Sequence, residues 1–484
     1  MKNTPGHYDD SISEDETMEE WRKMTEQGEA AAPTGGITIL RSDWVLPIAS
    51  EPVQDGAVAV EGELIKAVGP AAEVMGAFAG AKVLDFHDSI LLPGFINCHS
   101  HVEYSVFRGL IDDKNFGAWI LDFIDYRSLL GEADHVASAR LGASECVASG
   151  ITTLADGMYF GASIDAIRDA GLRARIYQEA FGLDDHRLEE DMAALAARLD
   201  ELEGMAGGLI EIGVFPHAPY TVSANHYRAI AELARERGLK IATHLAESRA
   251  ESTYIKSGTG VLAHDLREKV GWDYISREPF GVSPVKYLQQ WSVYGPDVLA
   301  VHCVNAGPRD IDILAKSDVA IAHCPKSNAK LGCGVAPLPA FLEAGIRVGF
   351  GTDSPASSNI MDIFGEMRTA IFLHRAMRQD ATVLGAAECV QMATLGGARA
   401  LGMEDAVGTL EPGKQADIIV VDMEFSHFTP IYDPYSSLVY GASQEDVFFK
   451  MVAGRTIYDK KVILTIDEEE TRARAREVKD RLRA

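Results

Sequence analysis

The 484-residue chain is 47% hydrophobic and carries 45 Lys and Arg against 72 Asp and Glu, a formal charge of −27. That content can bury a large core, and the acidic balance, with no basic stripe, excludes a polyanion such as nucleic acid as the partner. Six cysteines at 98, 146, 303, 324, 333 and 389 lack CxxC spacing, so they fit neither a disulfide framework nor a thiolate zinc site and are read as reduced thiols.

Residues 1–35, ending in GEAAAPTGG, read as an acidic mobile tail in which TMEEWRKMTEQ could form a short helix or touch a neighbouring subunit. There is no charged-then-apolar leader pattern, and no apolar run approaches about 18 residues. A cytoplasmic protein with no membrane contact is therefore expected. From 36 to 90 short β-runs alternate with turns, as in GITILRSDWVLPI and DGAVAVEGELIKAVG. The same texture returns over 403–465 in GTLEPGKQADIIVVD and VFFKMVAGRTIYDKKVI, so both chain ends are expected to share one small β-sandwich.

Residues 91–402 alternate apolar runs with amphipathic stretches. Eight candidate strands appear in order: LLPGFINCHSH, GITTLAD, RARIYQEAF, IEIGVFPHA, KIATHLAE, VLAVHCV, VAIAHCP and RVGFGTD. Repeated βα units of this kind predict an α/β fold, a (β/α)8 barrel inserted into the terminal sandwich, with the active site at the C-terminal strand ends. The stretch 251–291 is too long for an ordinary connection and is expected to cover the barrel mouth. A solvated helix over 466–484, acidic first and basic last, closes the chain.

Polar residues collect where those strands end. His99 and His101 lie two apart on an extended strand and so point to one face. His217 ends the fourth strand, His244 the fifth, His302 the sixth, His323 the seventh and Asp353 the eighth. Three imidazoles and a carboxylate, His99, His101, His244 and Asp353, suit one divalent metal, zinc first and ferrous iron as the alternative, which would make a bound water acidic near pH 7. Glu247, three residues past His244, is the expected proton shuttle. His302 is expected to orient the attacking oxygen or polarise the substrate, and Asp353 to relay a proton to the leaving group. His323 is left open between such a role and a structural hydrogen bond.

The ordered motifs LLPGFINCHSH, PHAPYTVS, THLAES, VHCV, AHCPKSNAKLGCGVAPL, GTDSPASSN and GTLEPGKQADIIVVD resemble the amidohydrolase superfamily over about residues 40–465. Within it they resemble the aminohydrolase group of methylthioadenosine/S-adenosylhomocysteine deaminases, aminodeoxyfutalosine deaminases and s-triazine hydrolases. The resemblance implies one metal, held by His99, His101, His244 and Asp353, with Glu247 as shuttle and His302 beside the attacking oxygen. It places His217 against the heterocycle and Trp119 in the pocket wall. For the substrate tail it offers Gln178 and Arg187 at the two arginine positions of the S-adenosylhomocysteine enzymes, and Ser128, near Asp125, where a ribose-gripping glutamate stands.

The expected activity is hydrolytic release of ammonia from an aminated purine-type ring, an adenine nucleoside derivative, with the aminodeoxyfutalosine type first on the likeness of RARIYQEAFGLDD, GTGVLAHDLREKVGW and GVSPVKYLQQ. Hydrolysis of another amino- or chloro-substituted heterocycle, such as an s-triazine, pterin or guanine, is the alternative. A non-catalytic barrel scaffold stands behind both. A small heterocyclic amine is the expected partner, along with further copies of the same chain through the acidic tail or terminal helix.

Overall fold

The computed structural model describes residues 36–276 and 278–483, so the acidic tail and the TMEEWRKMTEQ helix lie outside the described residues. The chain opens with β1 (Ile37–Val45), β2 (Val53–Glu61), β3 (Leu64–Pro70) and β4 (Lys82–Pro93). Gly94 alone separates β4 from β5 (Phe95–Ser100), the first barrel strand. It packs so tightly on Thr152 that any Cβ would overlap that side chain, which restricts this junction to glycine. The terminal sheet thus runs to Pro93, beyond the 90/91 boundary read from the sequence.

Seven more barrel strands follow: β6 (Ile151–Met158), β7 (Arg173–Ala180), β8 (Ile210–Pro216), β9 (Lys240–Leu245), β10 (Val298–His302), β11 (Ala320–His323) and β12 (Val348–Phe350). They pair in chain order, parallel throughout. The ring closes between β12 and β5, where the Asp353 N–H donates to His99 O at 3.0 Å and the Asn97 carboxamide bonds Thr352 through both its oxygen and its nitrogen. Strands buried on both faces, such as β5 and β6, read as continuous runs because helices cover the outside. Inside, Ala155, Ala242, Ala320 and Ala322 make room for Tyr177 and Phe215, and Ala398, Leu401 and Val407 pack against the same cluster.

The chain then returns to the first sheet as β13 (Ile418–Asp422), β14 (Val447–Val452), β15 (Arg455–Asp459) and β16 (Val462–Ile463). The eight strands run β16-β15-β14-β13-β4-β1-β2-β3. Their sheet curls so that the β2–β3 turn meets residues 415–416, with Leu40, Val58, Ile418 and Phe449 in the apolar interior. Two buried polar locks tie this sheet to the barrel. Arg173 grips Asp417 through two hydrogen bonds of 3.0 and 3.1 Å, and Lys450 donates to Cys146 O at 2.6 Å and Ile151 O at 2.9 Å.

The last helix, Glu468–Leu482, starts where Asp467 accepts the Glu470 N–H. It buries Val478 and Leu482 and pairs Arg481 with Asp134 of the helix Glu132–Ala148. Among the described residues no helix is long and apolar enough to cross a membrane.

Candidate active site

Six of the polar strand-end residues meet in one place. Overlapping triads of His99, His244 and His302, of His99, His101 and Asp353, and of Glu247, His302 and Asp353 hold their ligand atoms within 4.8 Å of one another, all buried. Phe215 lies against His99 and His244, 5.8 and 4.8 Å between ring centres, and supports the cluster from inside the barrel.

His101, His244 and His302 are each held through Nδ1. His101 Nδ1 donates to Gly157 O at 3.0 Å and His244 Nδ1 to His217 O at 3.1 Å. A carbonyl only accepts, so both Nε2 atoms carry lone pairs toward the centre. Gly157 has no room for a side chain, because a Cβ there would come within 2.6 Å of the His101 ring. His302 Nδ1 is 2.9 Å from Asn328 Oδ1. Asp353 keeps Oδ1 toward His99 at 3.4 Å, while its Oδ2 accepts the hydroxyls of Ser327 and Ser357 at 2.5 and 2.8 Å.

The backbone is strained here, with φ of 57° at Asp353, 74° at His302 and 50° at Ala246. Such left-handed residues persist only where the surroundings impose them. At Ala246 the imposing group is Glu251, whose carboxylate accepts the N–H of Ala246 and of Glu247 at 2.8 Å each.

These residues fit a divalent metal. Two ligands about 2.1 Å from a tetrahedral ion lie about 3.4 Å apart. His99 Nε2 stands 3.3 Å from His244 Nε2 and 3.4 Å from Asp353 Oδ1. That is the spacing of donor atoms gathered round a single ion in a buried site. Burial pushes His99 down to about 3 and His244 well below the usual imidazole range, so both remain neutral ligands. Burial raises Asp353, but the hydrogen bond to His99 and the neighbouring imidazoles outweigh it and hold the carboxyl well below its usual value. Glu247 goes the other way: burial, then the charges of Asp353 and Glu251, lift it well above the ordinary range. It sits 3.7 Å from His302 Nε2.

Above the centre opens a cavity of about 250 Å³. Trp119 lines it, its indole N–H donating to Ala356 O at 3.3 Å and its ring stacked on Phe123. His217 also lines it, stacked on Phe181, with Nδ1 at 2.8 Å from Thr221 Oγ1. The long 251–291 excursion contributes Leu266, Val270 and Trp272 to the wall; it is built from short helices, Arg249–Ser257, Asp265–Lys269 and Pro284–Gln289.

The structure does not bring Gln178 or Arg187 to the cavity. Gln178 is turned behind the wall, bonding Glu179 O and Arg198, because alternate residues of β7 face opposite sides; its neighbour Glu179 lines the cavity. Arg187 is exposed in the turn before the helix Leu188–Met205, paired with Glu190 and Asp191. Ser128 caps back onto Asp125 O, and Asp125 pairs with Lys269. Neither ring nitrogen of His323 has a hydrogen-bond partner among the described residues, so the structural bond considered for it is absent there.

Three acidic or basic residues went unread. Arg127 and Glu179 face the cavity, and Glu103 accepts the backbone N–H groups of Tyr159, Phe160, Gly161 and Ala162 at 2.7–2.9 Å, fixing the loop that carries the cavity-lining Tyr159. Only Glu103 had a local signal, its place two residues past His101.

Residues 90–457 match the amidohydrolase family model. The chain belongs to the amidohydrolase family. As a member it is a hydrolytic enzyme, and the buried cluster of histidine and aspartate side chains supports a divalent metal. It is 35% identical to 5-methylthioadenosine/S-adenosylhomocysteine deaminase of Pelotomaculum thermopropionicum over 428 residues, 87% of this chain and 93% of the relative. Among solved structures, an adenosine deaminase from Xanthomonas campestris with bound zinc superposes with a TM-score of 0.83 at 28% identity, covering 92% of this chain and 98% of that one. Helicobacter pylori aminofutalosine deaminase shares the fold, with a TM-score of 0.74 at 20% identity over 87% of this chain and all of its own.

Proposed function

We propose that this protein releases ammonia by hydrolysis from the adenine ring of a nucleoside, with zinc as the metal. The observation that carries the reading is the position of Glu247, a buried carboxyl of raised proton affinity beside His302 and directly next to the metal ligands. The 35% identical relative bears a nucleoside deaminase name, and the zinc-bound neighbour is an adenosine deaminase. The aminofutalosine enzyme supports the fold alone, so the 5′ group placed first from the sequence has no added support.

His99, His101, His244 and Asp353 would hold the metal, which when bound supplies a water acidic enough to attack at neutral pH. Glu247 takes the proton of the attacking water and delivers it to the ring nitrogen next to the carbon under attack. His302, fixed by Asn328, steadies the oxygen as it adds to that carbon. Asp353, held ionised, takes the remaining proton from the added oxygen and passes it to the amino group as the C–N bond breaks, giving ammonia and a ring carbonyl. His217 and the Trp119 wall seat the heterocycle and exclude bulk water.

The test is ammonia release by the metal-loaded protein from adenosine, 5′-deoxyadenosine, methylthioadenosine, S-adenosylhomocysteine, aminodeoxyfutalosine, guanine, a pterin and an amino-triazine. A rate at least about a hundredfold higher on one adenine nucleoside than on the non-purines is expected. Preference for the triazine, or no release from any nucleoside with metal bound, overturns the reading.

A further inference from the structure

Two residues of the site are held from behind by neighbours on one short helix. Ser327 donates its hydroxyl to Asp353 Oδ2 at 2.5 Å, and the next residue, Asn328, accepts the His302 Nδ1–H through Oδ1 at 2.9 Å. Both belong to the helix Pro325–Lys330, which follows β11. Asp353 and His302 have φ of 57° and 74°, conformations that a backbone keeps only when its surroundings impose them. Asn328 Nδ2 has no partner among the described residues, so the amide is aimed by the helix and by His302, not from its other end. Whatever fixes the helix therefore fixes the carboxylate and the imidazole together.

Six residues make a helix too short to persist by itself, so its place comes from tertiary contacts. A fully buried one is Glu366, on the helix Ile363–Arg378. Its Oε2 accepts the Lys326 N–H at 3.0 Å, one of the first-turn groups that no carbonyl within the helix can satisfy. Its Oε1 stands 3.2 Å from Lys326 Nζ, which also donates to Ile360 O at 2.8 Å. At the other end Lys330 pairs with Asp112, but both side chains are partly exposed, and such pairs contribute little. Burial lifts the Glu366 carboxyl to about 7 against the pull of Lys326. An apolar side chain of similar volume would serve as well if the position served packing alone.

We propose that Glu366 is a positioning residue for the catalytic centre: by anchoring the first turn of the helix Pro325–Lys330 it sets Ser327 against Asp353 and Asn328 against His302 in one adjustment. Its consequence for turnover rests on the deaminase reading above; its consequence for the metal site does not.

The test measures zinc affinity by chelator competition, and kinetics on the nucleoside that wild type turns over best. Glu366→Leu should weaken zinc binding and lower kcat by about tenfold or more each, as loss of a partner behind a ligand does, with KM within about threefold. Glu366→Gln, which keeps an acceptor for the Lys326 N–H, should lie between Glu366→Leu and wild type. The pair Ser327→Ala and Asn328→Ala separates positioning from a general loosening of the fold. In wild type the pair should cost at least as much as Glu366→Leu, and added to Glu366→Leu it should cost no more than about threefold further, because both act through the same contacts. Full additivity overturns the proposal. So do unchanged zinc affinity and kcat in Glu366→Leu, or in Glu366→Gln where Glu366→Leu does not fold. Should no nucleoside be deaminated, the deaminase reading falls, and the zinc affinities of the same proteins still decide the role of Glu366.

Discussion

The seam between the barrel and the terminal sheet and the mouth of the barrel both bury charge, and they handle it in opposite ways. At the seam every charge is answered from within the chain: Arg173 by Asp417, which also accepts the Ala453 N–H, and Lys450 by two carbonyls. At the mouth Glu247, Glu179 and Arg127 face an open cavity, and His99 Nε2 and His244 Nε2 stand 3.3 Å apart beneath it. Removing charge from water costs several kcal/mol whichever way it is done. Where the chain supplies the partner, the result is attachment; where it leaves the partner to be supplied from outside, the result is a binding site.

Substitutions can break that contrast, and the largest effect belongs to the mouth. Glu247→Gln should lower kcat by roughly 10³-fold or more while metal content by elemental analysis stays as in wild type; near-normal turnover would remove Glu247 from the mechanism. At the seam, Asp417→Asn leaves Arg173 buried without a carboxylate and should cost about 3–5 kcal/mol in urea unfolding, with kcat/KM of the folded enzyme unchanged. Loss of activity at full stability would mean that the seam is part of the site.

His323 sharpens the comparison through pH. Burial, then the charges of His374 and His302, push it down to about 3. The unfolded imidazole titrates near 6.5. The folded state therefore refuses a proton that the unfolded state takes, and stability present above about pH 6.5 is lost as pH falls toward 3. Between pH 6.5 and 5 this is worth about 2 kcal/mol, so His323→Leu should flatten the fall in urea midpoint over that range by that amount. An identical pH slope in both proteins would show that His323 is not held neutral. The smallest effect is expected at Glu103. Glu103→Gln replaces one acceptor oxygen with a donor, loosens the 159–162 loop and should raise KM about tenfold, or about 1.4 kcal/mol, with kcat within about threefold.

Much of this was readable in the chain because each barrel strand is a short apolar run that stops at a polar residue, and a metal site needs its ligands at those stops. His99 and His101 share a face through simple alternation, and Glu247 follows His244 at fixed spacing. The cavity wall obeys no such rule. On β7 a shift of one residue exchanges Gln178 for Glu179, so naming the wrong neighbour named the wrong face. Arg127 ends a helix whose orientation depends on packing around Trp119 and Phe123, and Arg187 is drawn to the surface by Glu190 and Asp191. Long-range partners of this kind, Glu103 with the loop after β6 included, leave no periodic trace.

Gly94 sets a practical limit on how this molecule can be rebuilt. Because that one residue joins the two sheets, a truncation meant to free the barrel would cut within a few positions of His99 and His101 and would strip β5 of its anchored neighbour. Anyone transplanting the catalytic barrel, permuting its termini or fusing it to a carrier must move Lys82–Pro93 and its partner β13 along with it. Insertions belong elsewhere, in exposed turns such as that around Gly207 and Gly208, at the rim away from His99 and Asp353.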